Sequence, residues 1–236
     1  MFEAVAFDAD ETIFNNQGIH QCVTRLILED LKMPLNDVDA VHAKWDAYYF
    51  QEQSRLMEEV GFCIDRENAA YSLILALKDF NKEISFNKAL EYYSFMVDTY
   101  SSKSKPYPDA IRLISKLVEK GIKMAIVSNG DTETIVNRLE VANITNHFEF
   151  ILAPCQNLPL TKPDEKIFFE TLSRLNTSPE KTIFVGDNPI ADIEGANKVA
   201  MYSVLIDRKE IYSNLVGLQM PKLRIKSLDE MMYLFD

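Results

Sequence analysis

Short apolar segments alternate with amphipathic ones along the second half of the chain, and this alternation limits the fold more than any other feature. The runs at residues 2–7, Lys123–Val127, 148–153, 182–185 and Tyr202–Ile206 are nearly continuous in apolar residues, rather than apolar at every second position. A strand buried on both faces reads this way, whereas a strand with one wet face alternates. Helical patterns at 132–139, 164–175 and 190–198 separate the later runs. Strands that alternate with helices imply a parallel sheet covered on both sides. The expected fold class is therefore α/β, with a doubly wound, Rossmann-like sheet as its core.

The segment between the first run and the others has a different texture. Ile19, Val23, Leu26, Ile27 and Leu31 fall at helical spacing, and Pro34 stops that helix. A long polar and aromatic helix is predicted over 38–60, carrying Trp45, Tyr48, Tyr49 and Leu56, with two more over 68–77 and 86–97. After the polar stretch SSKSKPYP the strand–helix pattern begins. The expected organisation is a Rossmann-like catalytic core of residues 1–14 and 105–236, interrupted by an α-helical cap of residues 15–104.

A chain of 236 residues can bury a sizeable core without disulfide staples. Its net charge of −11 argues against a nucleic-acid partner, which requires a basic face. A local pocket of Lys, Ser and backbone N–H groups can still bind a small anion. Cys22, Cys63 and Cys155 are odd in number and form no CxxC pair, which reads as reduced thiols. The N-terminus lacks the basic region of a signal peptide, and no apolar run approaches the roughly 20 residues of a membrane helix. The expectation is a cytoplasmic protein without a membrane partner.

In open parallel sheets, ligands bind beyond the carboxyl ends of the strands. The first run ends in FDADETIF, with Asp8, Asp10 and Glu11 directly after apolar residues. Charge is costly at the end of a buried strand. Two readings are open, a metal or acid–base site and a solvated turn. The second run ends in SNG, where Ser128 and Asn129 are either a plain turn or a hydroxyl and N–H at a helix N-terminus, suited to phosphate. Downstream of 148–153, Lys162 precedes the helix-starting Pro163, as a surface charge or as an anion-neutralising group. The run at 182–185 ends in GDNPIAD, with Gly186, Asp187 and Asp192. These two carboxylates either cap a helix or join those of the first run in an oxygen-rich pocket suited to Mg²⁺.

The ordered set DADET, SNG, Lys162 and GDNPIAD resembles the four motifs of the haloacid dehalogenase superfamily of phosphohydrolases. The likeness covers the sheet core, and the helical segment lies where that family carries its cap. Glu11, where many members have Gly or Asp, and Val199 and Ala200, where Ala-Gly is common, depart from the pattern.

The resemblance implies a Mg²⁺-dependent phosphatase acting on a small phosphorylated metabolite: a sugar phosphate, phosphoglycolate or a nucleoside monophosphate. It implies Asp8 as the nucleophile, forming an aspartyl-phosphate, and Asp10 as the general acid and base, with a raised pKa supplied by nearby carboxylates and cap closure. Ser128, the Asn129 backbone and Lys162 would bind the phosphoryl oxygens. Asp8, the Asp10 backbone carbonyl and Asp187 would hold the metal, with Asp192 orienting its waters or Lys162. Arg55 and Arg66 are the candidate cap contacts to substrate, beside the aromatic residues Trp45, Tyr48 and Tyr49. The histidines show no ligand or triad spacing. A phosphomutase and a catalytically silent binding relative are the alternatives, and the protein is expected to be a monomer or homodimer.

Overall fold

The computed structural model describes residues 1–59, 64–154 and 160–236. The chain enters through β1 (Ala4–Phe7) and a two-residue strand β2 (Phe14–Asn15). Four helices follow: α1 (Ile19–Asp30), α2 (Val38–Glu59), α3 (Asp65–Lys78) and α4 (Phe86–Lys103). A second two-residue strand, β3 (Lys105–Pro106), returns antiparallel to β2, with Phe14 opposite Pro106. The remainder alternates as α5 (Pro108–Glu119), β4 (Lys123–Val127), α6 (Thr132–Val141), β5 (Phe150–Leu152), α7 (Glu165–Leu175) and β6 (Thr182–Gly186). It closes with α8 (Gly195–Lys198), β7 (Tyr202–Ile206) and β8 (Leu223–Ile225).

Six strands form one parallel sheet in the order β5-β4-β1-β6-β7-β8. The chain moves outward from β1 to β4 and β5, then crosses back to β6 on the other side. β1 is therefore central, at the point where the strand order reverses and ligands of doubly wound sheets bind. Its four residues are at most 1% exposed, which explains the unbroken apolar run. Helix α5 starts on Pro108, where the missing N–H costs nothing, and buries Ala110, Leu113, Ile114 and Leu117 on one stripe.

The register levels the strand tips. Phe7 lies opposite Ile126 of β4 and Val185 of β6, so Asp8, Ser128 and Asp187 leave the sheet at the same edge.

The four inserted helices have an apolar cluster of their own, in which Val23, Ile27, Val41, Trp45, Leu73 and Leu77 meet. Trp45 buries its ring there and donates its indole N–H to the Ala69 carbonyl at 2.9 Å. Among the described residues, no helix is long and apolar enough to cross a membrane.

Several boundaries differ from expectation. The helix read over 190–198 opens as a π-helical turn, Pro189–Glu194, and only Gly195–Lys198 is α-helical. The helix read over 86–97 runs on to Lys103, and the strand read over 148–153 shortens to Phe150–Leu152. β2, β3 and β8 are two or three residues long, too short to leave a periodic signal. Residue 60, the expected end of the second inserted helix, lies outside the described residues, as do Cys63 and Cys155. Glu11 and Ala200 both adopt left-handed backbone, with φ of 54° and 61°. Glycine takes that conformation without steric penalty, so a larger residue at either position carries some strain.

Candidate active site

Asp8 follows the last residue of β1, and its N–H donates to the Val185 carbonyl at 2.8 Å, fixing it to the neighbouring strand. The Lys162 ammonium donates to Asp8 Oδ1 at 2.6 Å and to Asp192 Oδ1 at 2.7 Å. Its side chain is 2% exposed, so it is a buried cation held between two anions. Burial works against that charge, but the two carboxylates outweigh it and keep the lysine well above its ordinary range. Asp192 is fixed further by the Asn188 N–H, 2.9 Å from its second oxygen. Gly186 makes the close approach possible: a Cβ there would lie 2.2 Å from the Asp192 carboxyl carbon, a severe clash.

Asp187 completes an acidic cluster. Ligand oxygens of Asp8, Asp187 and Asp192 lie within 4.8 Å of one another. Burial, together with mutual repulsion, pushes both Asp8 and Asp187 above the usual carboxylate range. Asp187 accepts no hydrogen bond and makes no ion pair among the described residues. A crowded set of carboxylate oxygens with one unpaired member fits a hard divalent cation.

The opposite wall comes from β4 and α6. Ser128 is buried, and its hydroxyl accepts from the Gly130 N–H at 3.1 Å. Asn129 exchanges two hydrogen bonds with the backbone of Lys162, accepting at 2.7 Å and donating at 2.8 Å. That clamp joins two segments 33 residues apart and places the lysine over the sheet edge.

Asp10 faces the cavity. Its Oδ1 accepts from Asn16 Nδ2 and from the Arg138 guanidinium, each at 2.5 Å. Burial would raise this carboxyl, but Arg138 and Asn16 together hold it below its ordinary value. This corrects the expected direction. Arg138, a cation 128 residues away in the chain, is the ion-pair partner of Asp10.

Sheet edge and inserted helices enclose a cavity of about 710 Å³. Its far wall carries Trp45, Tyr49, Asp65, Tyr93 and Tyr100. Asp65 accepts from the Tyr93 hydroxyl at 3.1 Å and from the Tyr49 hydroxyl, while burial pushes its carboxyl upward. The expected contacts Arg55 and Arg66 are not among the lining residues. Arg55 is paired with Glu52 and Glu59 on its own helix, and Arg66 is exposed on α3.

Two further groups escaped sequence reasoning. Arg138 lies between Ile135 and Leu139 on the buried stripe of α6, and a charge on an apolar stripe was the available signal. His20 and His42 meet across Asp46 at 3.0 and 3.5 Å, and His20 and Asp46 line the cavity. Only the packing of α1 on α2 unites that trio.

Residues 2–199 match the protein family described as haloacid dehalogenase-like hydrolases. The chain belongs to this family. A curated relative, the glyceraldehyde 3-phosphate phosphatase of Methanopyrus kandleri, is 27% identical over 215 residues, 88% of this chain and 85% of that protein. YfnB of Bacillus subtilis, described as a HAD-hydrolase and solved bound to magnesium, matches with a TM-score of 0.81 at 23% identity. That match covers 100% of this chain and 99% of the other. An L-2-haloacid dehalogenase from Xanthobacter autotrophicus matches with a TM-score of 0.76 at 18% identity, over 99% and 98% of the two chains. Structural likeness at these identities speaks to the fold alone. Within this hydrolase the chemistry must be argued from the site: a carboxylate at the central strand tip, a fixed cation on it, and a hydroxyl opposite.

Proposed function

We propose that this hydrolase is a Mg²⁺-dependent phosphatase that dephosphorylates a small metabolite through an aspartyl-phosphate on Asp8. One observation carries the reading. Asp8 stands at the tip of the central strand with Lys162 on one oxygen, Asp187 beside it and the Ser128 loop at the same edge. The named activity of the Methanopyrus kandleri relative supports a phosphomonoester substrate. A cavity of about 710 Å³ is in the range that holds small-molecule ligands.

Asp8, the Asp10 backbone carbonyl and Asp187 would hold Mg²⁺, which when bound offsets the repulsion between carboxylate and phosphate. Lys162, the Ser128 hydroxyl and the Asn129 N–H receive the phosphoryl oxygens, where charge accumulates at the transition state. An Asp8 oxygen forms the new bond to phosphorus as the ester P–O bond breaks, and Asp10 in its protonated form gives the leaving alcohol its proton. Water then attacks phosphorus, Asp10 takes the water's proton, and Asp8 is regenerated with release of phosphate. A carboxyl that Arg138 and Asn16 hold below its ordinary value suits the second half of that cycle, in which Asp10 accepts a proton. Asp192 keeps Lys162 in place throughout.

Residues 15–104 serve as a cap over this site. The reading rests on the paired strands β2 and β3, which carry both connections between the helices and the sheet. A pair only two residues long on each side can bend with a cap.

The test is a hydrolysis screen over small phosphate esters, with Mg²⁺ and with a chelator, together with halide release from 2-haloacids. Orthophosphate release that requires Mg²⁺ is the expected result. Release unaffected by the chelator overturns the metal assignment, and halide release without phosphate release overturns the phosphatase.

A further inference from the structure

We propose that Arg138, acting with Asn16, is a positioning residue that aims the Asp10 carboxylate at the phosphoryl site. The inference rests on the phosphatase reading and extends it to two residues outside the four motifs.

Arg138 is 3% exposed, and a buried guanidinium is tolerated only when its charge and donors are engaged. Its engagement is specific. Nη1 donates to Asp10 Oδ1 at 2.5 Å and to Asn16 Oδ1 at 3.4 Å, and Nε donates to the Thr134 carbonyl of its own helix at 3.3 Å. The guanidinium carbon lies 4.9 Å from the centre of the Phe14 ring and 6.0 Å from that of Tyr100, so the side chain has aromatic neighbours as well as ionic ones. Asn16 donates its side-chain amide Nδ2 to the same Asp10 oxygen at 2.5 Å.

Both donors therefore load one oxygen of Asp10 and leave the other. A Cβ built on Gly130 would lie 3.5 Å from Asp10 Oδ2 and 3.4 Å from Ser128 Oγ. The second oxygen thus borders the same space as the hydroxyl assigned to the phosphoryl group. A carboxylate that moves a proton must present one defined oxygen, and fixing its partner achieves that.

The clamp is anchored where the inserted helices join the sheet. Asn16 directly follows β2, and its Oδ1 accepts from the hydroxyl of Ser104, which directly precedes β3, at 2.6 Å. Glu11 braces the same place, accepting from the Asn16 N–H at 3.1 Å and from the Tyr107 hydroxyl at 2.9 Å. Asp10 is held from the core helix α6 on one side and from both connections on the other.

The experiment is a double-mutant cycle on the full chain with Mg²⁺ and p-nitrophenyl phosphate. Arg138→Gln is expected to lower kcat about 10- to 100-fold, the order of effect of a misplaced catalytic group. KM and the inhibition constant of inorganic phosphate should stay within about 3-fold, because the phosphoryl ligands are untouched. Adding Arg138→Gln to Asp10→Asn should cost less than about 3-fold more, since a group acting through Asp10 has nothing left to position. Asn16→Ala should show the same split and the same non-additivity, and it carries the test if Arg138→Gln does not fold. Costs that multiply in the double variants overturn the proposal, as does a rise in KM and phosphate inhibition constant with kcat preserved. The second result would make Arg138 a substrate ligand. Failure of the wild-type protein to hydrolyse any phosphate ester is a separate outcome, which removes the phosphatase reading and this inference with it.

Discussion

Two acids, one in each region of the molecule, are stabilised in opposite ways. In the sheet region, Asp109 on α5 receives the Arg208 guanidinium at 2.8 Å, the Ser227 hydroxyl at 2.8 Å and the Leu228 N–H at 2.8 Å. Burial raises its carboxyl, and these partners bring it below its ordinary range. In the inserted helices, Asp65 accepts from two tyrosine hydroxyls and is paired with no cation among the described residues, and burial leaves its carboxyl raised. The first acid holds the fold together. The second costs stability when ionised and faces the cavity, which is the pattern of a group kept for contact rather than for structure.

The same contrast runs through the rest of the chain. Several charges of the sheet region are paired across long sequence separations, as with Lys162 on Asp8, Arg112 on Asp229 and Lys181 on Glu3. Those of the inserted helices are mostly local or exposed, as with Arg55 between Glu52 and Glu59. Chemistry is expected to reside in the first region and selectivity in the second.

The strongest way to break this division is Asp8→Asn. Phosphate release should fall by at least ~100-fold while the circular dichroism spectrum is retained, because a nucleophile is removed with little change in volume. Substantial residual turnover would move the chemistry elsewhere.

Asp109→Ala should come next, as a loss of stability without a loss of chemistry. Removing one partner of a buried ion pair costs about 3 kcal/mol, read as a lower urea midpoint, with kcat at low temperature near wild type. The carboxyl is depressed in the folded state, so its contribution is present above the ordinary value of 3.8 and disappears as pH falls through the folded value. The gap between variant and wild type should therefore close in strong acid.

Asp65→Asn should have a smaller effect of the other sign. Its carboxyl is raised in the folded state, so stability is lost as pH rises through that value, and a neutral amide avoids the loss. The variant should be as stable as wild type at neutral pH or slightly more so. Its kcat/KM ratio between two natural phosphates should shift several-fold, about what one changed pocket contact provides. Equal loss on every substrate would place Asp65 in structure and blur the comparison.

Arg55→Ala should change nothing measurable in stability, in turnover or in substrate preference. The side chain is exposed, paired within its own helix and absent from the cavity wall.

Much of the sheet region was legible because its signals are local. Ala4–Phe7 is buried on both faces and so is apolar at every position, and acids directly after such a run have few purposes. Asp8, Ser128 and Asp187 could be named from the sequence because each lies at a strand end, whereas Lys162, well beyond Leu152 of β5, stood out by its place before Pro163 in the motif order. Parallel strands in one sheet must bring those ends to one edge.

Other features depended on how helices pack, which one-dimensional spacing does not encode. The sequence alone determined a parallel α/β core, a helical insertion after its first strand and the motif residues at the strand tips. Only the tertiary structure decided that Arg138 meets Asp10, that Asn16 and Ser104 close over the junction, and that Asp65 lines the cavity where Arg55 and Arg66 do not. The reason is physical. Strand direction and register transmit local patterns into position, whereas the partner of a helix face is chosen by the summed burial of many side chains.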